Sequence, residues 1–229
     1  MESQLYLVPT PIGNLKDITF RAIDVLQNVD SILAEDTRQT LKLLSHYNIS
    51  KPLQSFHLNN EHKILGNIIN RLKSGERLAL VSDAGTPGIS DPGFLLVREC
   101  VNNDISFEVL PGPNAFVPAI ILSGFPTERF IYEGFLPHKK GRQKKFEALI
   151  SEERSVIFYE SPHRIEKAVT QIVEILGSDR IIAISREISK IHEETIRGSA
   201  SEVLAKIQER PLKGEIVLVI SGINYSSTV

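Results

Sequence analysis

Four clusters of residues in this chain have types and spacings suited to chemistry. The first is Leu80 to Gly93, where an apolar run passes directly into a turn holding three Gly, two Pro, two Asp and two Ser. Glycine removes the Cβ that would keep a bound molecule away from the backbone, and short oxygens with main-chain N–H groups supply polar partners for it. The second cluster, Glu35-Asp36-Thr37-Arg38, offers two carboxylates and a guanidinium in four residues, a set able to take up a proton or steady a developing negative charge. The third, Glu160-Ser161-Pro162-His163-Arg164, adds a carboxylate and an imidazole with suitable proton affinity, and Arg186 with Glu187 forms a comparable pair. The fourth is His138 to Lys145, with five fixed positive charges in eight residues, able to neutralise several phosphates.

Composition narrows the setting of this chemistry. A chain of 229 residues with 41% hydrophobic content can build a substantial core, as one domain or as two small ones. The one cysteine, Cys100, lies in the apolar run Phe94 to Val101 and reads as a packed helix residue; it excludes an internal disulfide and a cysteine-based zinc site. No metal ligand set is apparent. The longest apolar stretch, Ala115 to Phe125, is interrupted by Pro118 and falls short of a membrane span, so a cytoplasmic protein with no membrane partner is expected. A net charge of −2 argues against binding nucleic acid through overall charge, which leaves the local run at 138–145 to carry any such contact.

These clusters need elements to position them. Short runs rich in Val, Ile and Leu alternate with helical periodicity, the pattern of an α/β fold. Strands are expected at Leu5 to Val8, Ser31 to Ala34, Leu53 to Phe56, Leu78 to Ser82 and Phe107 to Leu110, with helices starting near Asp17, Asp36, Glu61 and Phe94 and a further one near Pro113. Asp36 reads as a helix N-cap. The pattern resets around Gly124-Phe125-Pro126, so a first lobe over residues 1–120, mainly a parallel sheet, is expected to precede a mixed lobe over 121–229. The second lobe offers strands at Phe130 to Phe135, Val156 to Tyr159, Ile181 to Ser185, Thr195 to Gly198 and Ile216 to Ile220, the pair near 185 and 195 antiparallel. Both G-x-G-x-x-G and G-x-x-x-x-G-K-[ST] are absent, which argues against a pyrophosphate on the first helix.

The motifs Leu7-Val8-Pro9-Thr10-Pro11-Ile12-Gly13-Asn14-Leu15, Ala34 to Arg38, Ser82 to Gly93, Pro111 to Ala115 and Tyr159 to Arg164 occur in that order over nearly the whole chain. In this combination the chain resembles the tetrapyrrole methylase superfamily, and within it the bacterial branch that methylates a cytidine ribose of small-subunit ribosomal RNA. Superfamily members acting on tetrapyrroles open with two or three glycines where this chain has Pro9-Thr10-Pro11-Ile12-Gly13-Asn14, which favours RNA over a porphyrinoid. The resemblance implies two α/β lobes with S-adenosylmethionine in a cleft between them, a homodimer, and 16S rRNA as partner, within the assembled small subunit and in its decoding region. It further implies cofactor contacts from Val8 and Pro9, from Asp83, Gly85, Thr86, Ile89 and Ser90 of the Ser82 to Gly93 turn, and from Phe116, Val117, Phe158, Tyr159 and Gly214. Glu35, Asp36, Arg38, Glu160 and His163 are the catalytic candidates, and Lys139, Lys140, Arg142 and Arg164 those for RNA. Methylation of a small molecule such as a porphyrinoid, and a non-catalytic RNA-binding module, are the alternatives. The first would leave the basic run without purpose, and the second would not need so unusual a turn after Leu80 to Val81.

Overall fold

The structure, a computed structural model, describes residues 3–138 and 140–226, and at Lys140 the backbone only. The chain divides into two compact units, 1–114 and 115–229.

In the first unit the order is β1 (Leu5–Leu7), a 3₁₀ turn (Leu15–Asp17), α1 (Phe20–Asn28), β2 (Ser31–Ala34), α2 (Thr37–His46), β3 (Leu53–Ser55), α3 (Glu61–Lys73), β4 (Leu78–Val81), α4 (Phe94–Asn102) and β5 (Phe107–Val109). The strands pair in the order β3-β2-β4-β1-β5, all parallel. Alternate residues of the central strands serve opposite cores, which is why these strands read as unbroken apolar runs. Tyr6, Ala79 and Val81 pack with Ala22, Val25 and Leu26 of α1. Leu5, Leu7, Leu78 and Leu80 pack with Ile68 and Leu72 of α3 and with Leu96 and Cys100 of α4. Cys100 is wholly buried, and burial pushes its thiol up to about 11, so it is a packing residue. The helix expected near Asp17 starts at Phe20: Asn14 caps the 3₁₀ turn by accepting from Lys16 N–H, and Thr19 caps α1 by accepting from Ala22 N–H.

The second unit runs α5 (Phe116–Ser123), β6 (Phe130–Phe135), α6 (Lys140–Glu147), β7 (Ser155–Glu160), α7 (Ile165–Leu176), β8 (Ile181–Arg186), β9 (Glu194–Ser199), α8 (Ala200–Glu209) and β10 (Ile216–Ile220). Its sheet has the order β6-β7-β10-β8-β9, with β6 and β7 parallel and the remaining pairs antiparallel. One face packs with α6, α7 and α8 around Phe146 and Phe158, both fully buried with ring centroids 6.3 Å apart. Helix α5 packs against β7, β8 and β10, so a division at residue 120 would cut through it; the structural division falls before it. Helix α8 is fixed at its start by a reciprocal cap between Ser199 and Glu202.

Phe158 therefore presents its ring to the core. Phe158→Ala is expected to cost about 3–5 kcal/mol of stability by leaving a cavity, and Phe158→Leu less than about 2 kcal/mol. Denaturant unfolding, with S-adenosylmethionine affinity of the Leu variant measured alongside, checks both; a large loss of affinity in a stable Leu variant would place the ring at the ligand instead.

Candidate active site

The loops that leave the carboxyl ends of β1, β2, β4 and β5 form the candidate site of the first unit. In open parallel sheets this edge is where ligands bind, at the point where successive strands are laid down on opposite sides. Strand β4 sits between β1 and β2 while β5 lies on the far side of β1, so the chain reverses direction across the sheet there. Thr10 and Gly85 exchange backbone hydrogen bonds, both 2.9 Å, which ties the loop after β1 to the turn after β4. The Thr10 hydroxyl donates to Ser82 O at 3.0 Å, and the Ser82 hydroxyl to Gly85 O at 3.0 Å. Thr86 Oγ1 donates to Pro113 O at 3.1 Å, bringing in the loop after β5. Gly112 lies so close to Pro9 that a Cβ there would stand 2.6 Å from the proline Cβ. Gly93 has φ +141°, and a Cβ would come within 3.0 Å of Leu80.

This framework assigns the expected cofactor residues different parts. Val8 and Pro9 are buried, so their side chains build the support. Gly85 spends its N–H and C=O on Thr10. Asp83, Ile89 and Ser90 are exposed on the turn and Thr86 is half-buried, with Ser90 in the left-handed region at φ +61°.

Carboxyl groups gather at the same edge. Asp36 caps α2 by accepting from Arg38 N–H at 2.8 Å and pairs with the Arg38 guanidinium at 2.6 Å. Arg38 thus pairs with Asp36, and that hydrogen bonding holds the Asp36 carboxyl down at about 2. Asp36 N–H in turn donates to Asp83 Oδ1 at 3.0 Å, linking the ends of β2 and β4. Partial burial raises the proton affinity of Glu35, with the charge of Asp83 adding to it. Desolvation does the same to Asp83. Asp91, a residue of the turn not singled out among the sequence candidates, is pushed up to about 7 by burial and then by the charges of Glu35 and Asp83. Among the described residues no group of His, Cys, Asp and Glu is arranged to hold a metal ion. Arg38, the arginine beside these carboxyls, is paired with Asp36.

In the second unit Tyr159 sits at the end of β7 on the face opposite Phe158. Its ring centroid is 5.4 Å from Tyr132 and 5.5 Å from Phe135, and Tyr132 is 4.7 Å from Phe116, so Phe116 and Tyr159 belong to one aromatic cluster. Burial, foremost, raises the Tyr159 hydroxyl above the ordinary phenol range. Val117, next to Phe116 in α5, is exposed. Gly214 has φ +85°, and a Cβ there would collide with the Glu187 carboxylate. Glu187 accepts from Glu215 N–H and from Lys190 Nζ, both at 2.9 Å, which fixes the turn holding Gly214.

The third and fourth clusters meet on the other side of β7. His163 is exposed, whereas the Glu160 side chain is fully buried and pairs with Arg164 at 3.1 Å. Arg164 also donates to Pro137 O at 3.0 Å and to Leu136 O. Arg142, expected to face RNA, is buried and donates to Gln171 Oε1, because the α6 face that carries it also carries Phe146 into the core. Lys145 pairs with Glu133 at 2.8 Å, which leaves Lys144 exposed on α6 and Lys167 exposed on α7. Lys139 and the side chain of Lys140 lie outside the described residues.

Residues 4–204 match the family model for tetrapyrrole (corrin/porphyrin) methylases. The chain belongs to the tetrapyrrole methylase family. It is 48% identical over 219 residues to ribosomal RNA small subunit methyltransferase I of Thermotoga maritima, covering 96% of this chain and 98% of that one. To the protein of the same name from Bacillus subtilis it is 50% identical over 221 residues, 96% of this chain and 75% of that one. Among solved structures, a cobalt precorrin-4 methyltransferase superposes with TM-score 0.71 at 13% identity over 95% of this chain and 94% of that one. Diphthine synthase superposes with TM-score 0.73 at 13% identity over 95% and 89%. At such identities these structures speak to the fold alone, and the two-sheet α/β arrangement agrees with theirs. No helix among the described residues is long and apolar enough to cross a membrane.

A tetrapyrrole methylase takes its methyl group from S-adenosylmethionine, a ligand with a sulfonium and an ammonium. The carboxyl-rich edge of the first sheet fits such a ligand, since added positive charge would relieve the mutual repulsion of Glu35, Asp83 and Asp91.

That repulsion has a measurable sign. A carboxyl with raised proton affinity binds its proton more tightly folded than unfolded, so stability falls as pH rises from the ordinary aspartate value, about 4, towards about 7 for Asp91. Relative to wild type without ligand, Asp91→Asn is expected to gain about 1–2 kcal/mol in unfolding free energy between pH 4.5 and pH 8, allowing for partial exposure. Urea unfolding at the two pH values measures it; a difference that does not change with pH would contradict the assignment.

Proposed function

We propose that this chain transfers the methyl group of S-adenosylmethionine to the ribose 2′ oxygen of a cytidine in 16S rRNA, in the decoding region. We further propose that it works in the cytoplasm as a homodimer on the assembled small subunit. The observation that carries this reading is the near-full-length identity of about half to two proteins named ribosomal RNA small subunit methyltransferase I. The exposed cations of α6 and α7 support it, because the chain as a whole is acidic and needs a local positive surface to meet phosphate.

Methyl transfer to oxygen is an in-line displacement, and most of its acceleration comes from holding donor and acceptor aligned. The rigid joints among the loops after β1, β4 and β5 suit that task. A ribose hydroxyl attacks poorly while protonated, so a nearby base helps. Among the acids of the site, Asp36 is a weak base because Arg38 holds it ionised at about 2. Glu35, whose proton affinity burial raises, and Asp91, pushed up to about 7, are better acceptors. Arg38, whose side chain is largely exposed, is placed to meet a phosphate or a developing oxyanion. In the second unit Tyr159, Phe116, Val117 and the Gly214 turn are proposed to meet the adenosine part, which calls for apolar walls with backbone partners.

The test is transfer of labelled methyl from S-adenosylmethionine to purified small subunits, to naked rRNA and to a porphyrinogen, followed by alkaline digestion. An alkali-resistant labelled dinucleotide from subunits is expected; label in the porphyrinogen alone would overturn the reading. Glu35→Gln is expected to lower kcat by about 10²-fold if Glu35 is the base, with Asp91→Asn the next candidate. Lys144→Ala and Lys167→Ala should each lower the slope of log affinity against log salt by about one while leaving S-adenosylmethionine affinity unchanged.

A further inference from the structure

Among the described residues the Glu160 carboxylate is the most enclosed acidic group of the second unit. Oε1 accepts from Ser161 N–H at 2.7 Å and forms an ion pair with Arg164 Nε at 3.1 Å. Oε2 is buried with no hydrogen-bond partner among the described residues. Arg142, on α6, is also buried, only 8% exposed. What these arginines hold is the segment leading into the basic helix. Arg164 grips the carbonyls of Leu136 and Pro137 and lies 3.4 Å from His138 Nε2, while Arg142 joins α6 to Gln171 of α7.

We propose that Glu160 is a positioning residue for RNA engagement, its buried carboxylate holding Arg164 on the Leu136 and Pro137 carbonyls and so fixing the entry to the basic helix against the start of α7. This rests on the reading of that basic helix as part of the rRNA-facing surface. Loss of the carboxylate leaves Arg164 without its charged partner, so that it turns towards water and releases the two carbonyls. Lys144, on α6, then no longer holds a fixed place relative to Lys167 on α7. Binding of a structured RNA by shape depends on such fixed spacing.

The experiment compares wild type with Glu160→Gln, using small subunits as methyl acceptor. Glu160→Gln is expected to raise KM for subunits about tenfold or more, with kcat and the Kd for S-adenosylmethionine within twofold of wild type. Amide exchange across 136–149 should speed up in Glu160→Gln and stay unchanged in β8 and β10. An unchanged KM with unchanged exchange in the segment overturns the proposal, as does a Kd for S-adenosylmethionine that rises in step with KM. If Glu160→Gln does not fold, Arg164→Lys, which keeps the charge and drops the forked grip on Leu136 and Pro137, carries the same expectation for KM and exchange. A wild type that methylates no subunits sinks the rRNA reading, and this proposal with it. An active wild type with an unaffected Glu160→Gln sinks this proposal alone.

Discussion

Strand β4 lies between β1 and β2 with Leu78, Ala79, Leu80 and Val81 all buried, two facing each core. A strand walled in on both faces and paired along both edges has no free polar group along its length, so the chain can place polar chemistry only where the strand ends. The Ser82 to Gly93 turn is that end. Its glycines, prolines and short side chains allow a tight path back to α4 while the neighbouring loops close in, and the order of the strands makes the β1, β2 and β5 loops those neighbours.

The same burial explains the electrostatics. Glu35 and Asp83 end strands whose interiors are apolar, and Asp91 sits on the returning arm of the turn, so each carboxyl is partly stripped of water and stands near another. Asp36 escapes because its oxygens are already engaged by Arg38 and by the start of α2. Neighbouring acidic residues in one short stretch of sequence thus acquire opposite tendencies: one stays ionised as a cap, and the other is readied to accept a proton.

Much of this was legible in the amino-acid sequence because the strands are buried apolar runs punctuated by turn residues, a signal carried by short windows. All ten strands fall where the runs predict them, and Asp36 is the cap its position suggests. Less legible were properties set by partners distant in the chain. Phe158 and Tyr159 are adjacent, and only the pleat decides that one enters the core while the other joins the aromatic cluster. Arg142 looks like its basic neighbours until the helix turns it inward beside Phe146. Glu160 reads as a catalytic acid by type, yet Arg164, four residues on, claims it. Asp91 gave no separate signal, because its perturbation comes first from burial in the folded turn and then from Glu35, more than fifty positions away.

The joints among the loops of the first unit have a thermodynamic consequence. Thr10 and Gly85 share two backbone bonds, Gly112 abuts the Pro9 ring, and Thr86 holds Pro113, so three loops from three strands are fastened to one another before any ligand arrives. The conformational entropy of ordering them is lost once, during folding, when cooperative burial of two cores offsets it. A ligand that meets them need not organise them again, so more of its interaction energy is left for affinity and for alignment of the reacting groups.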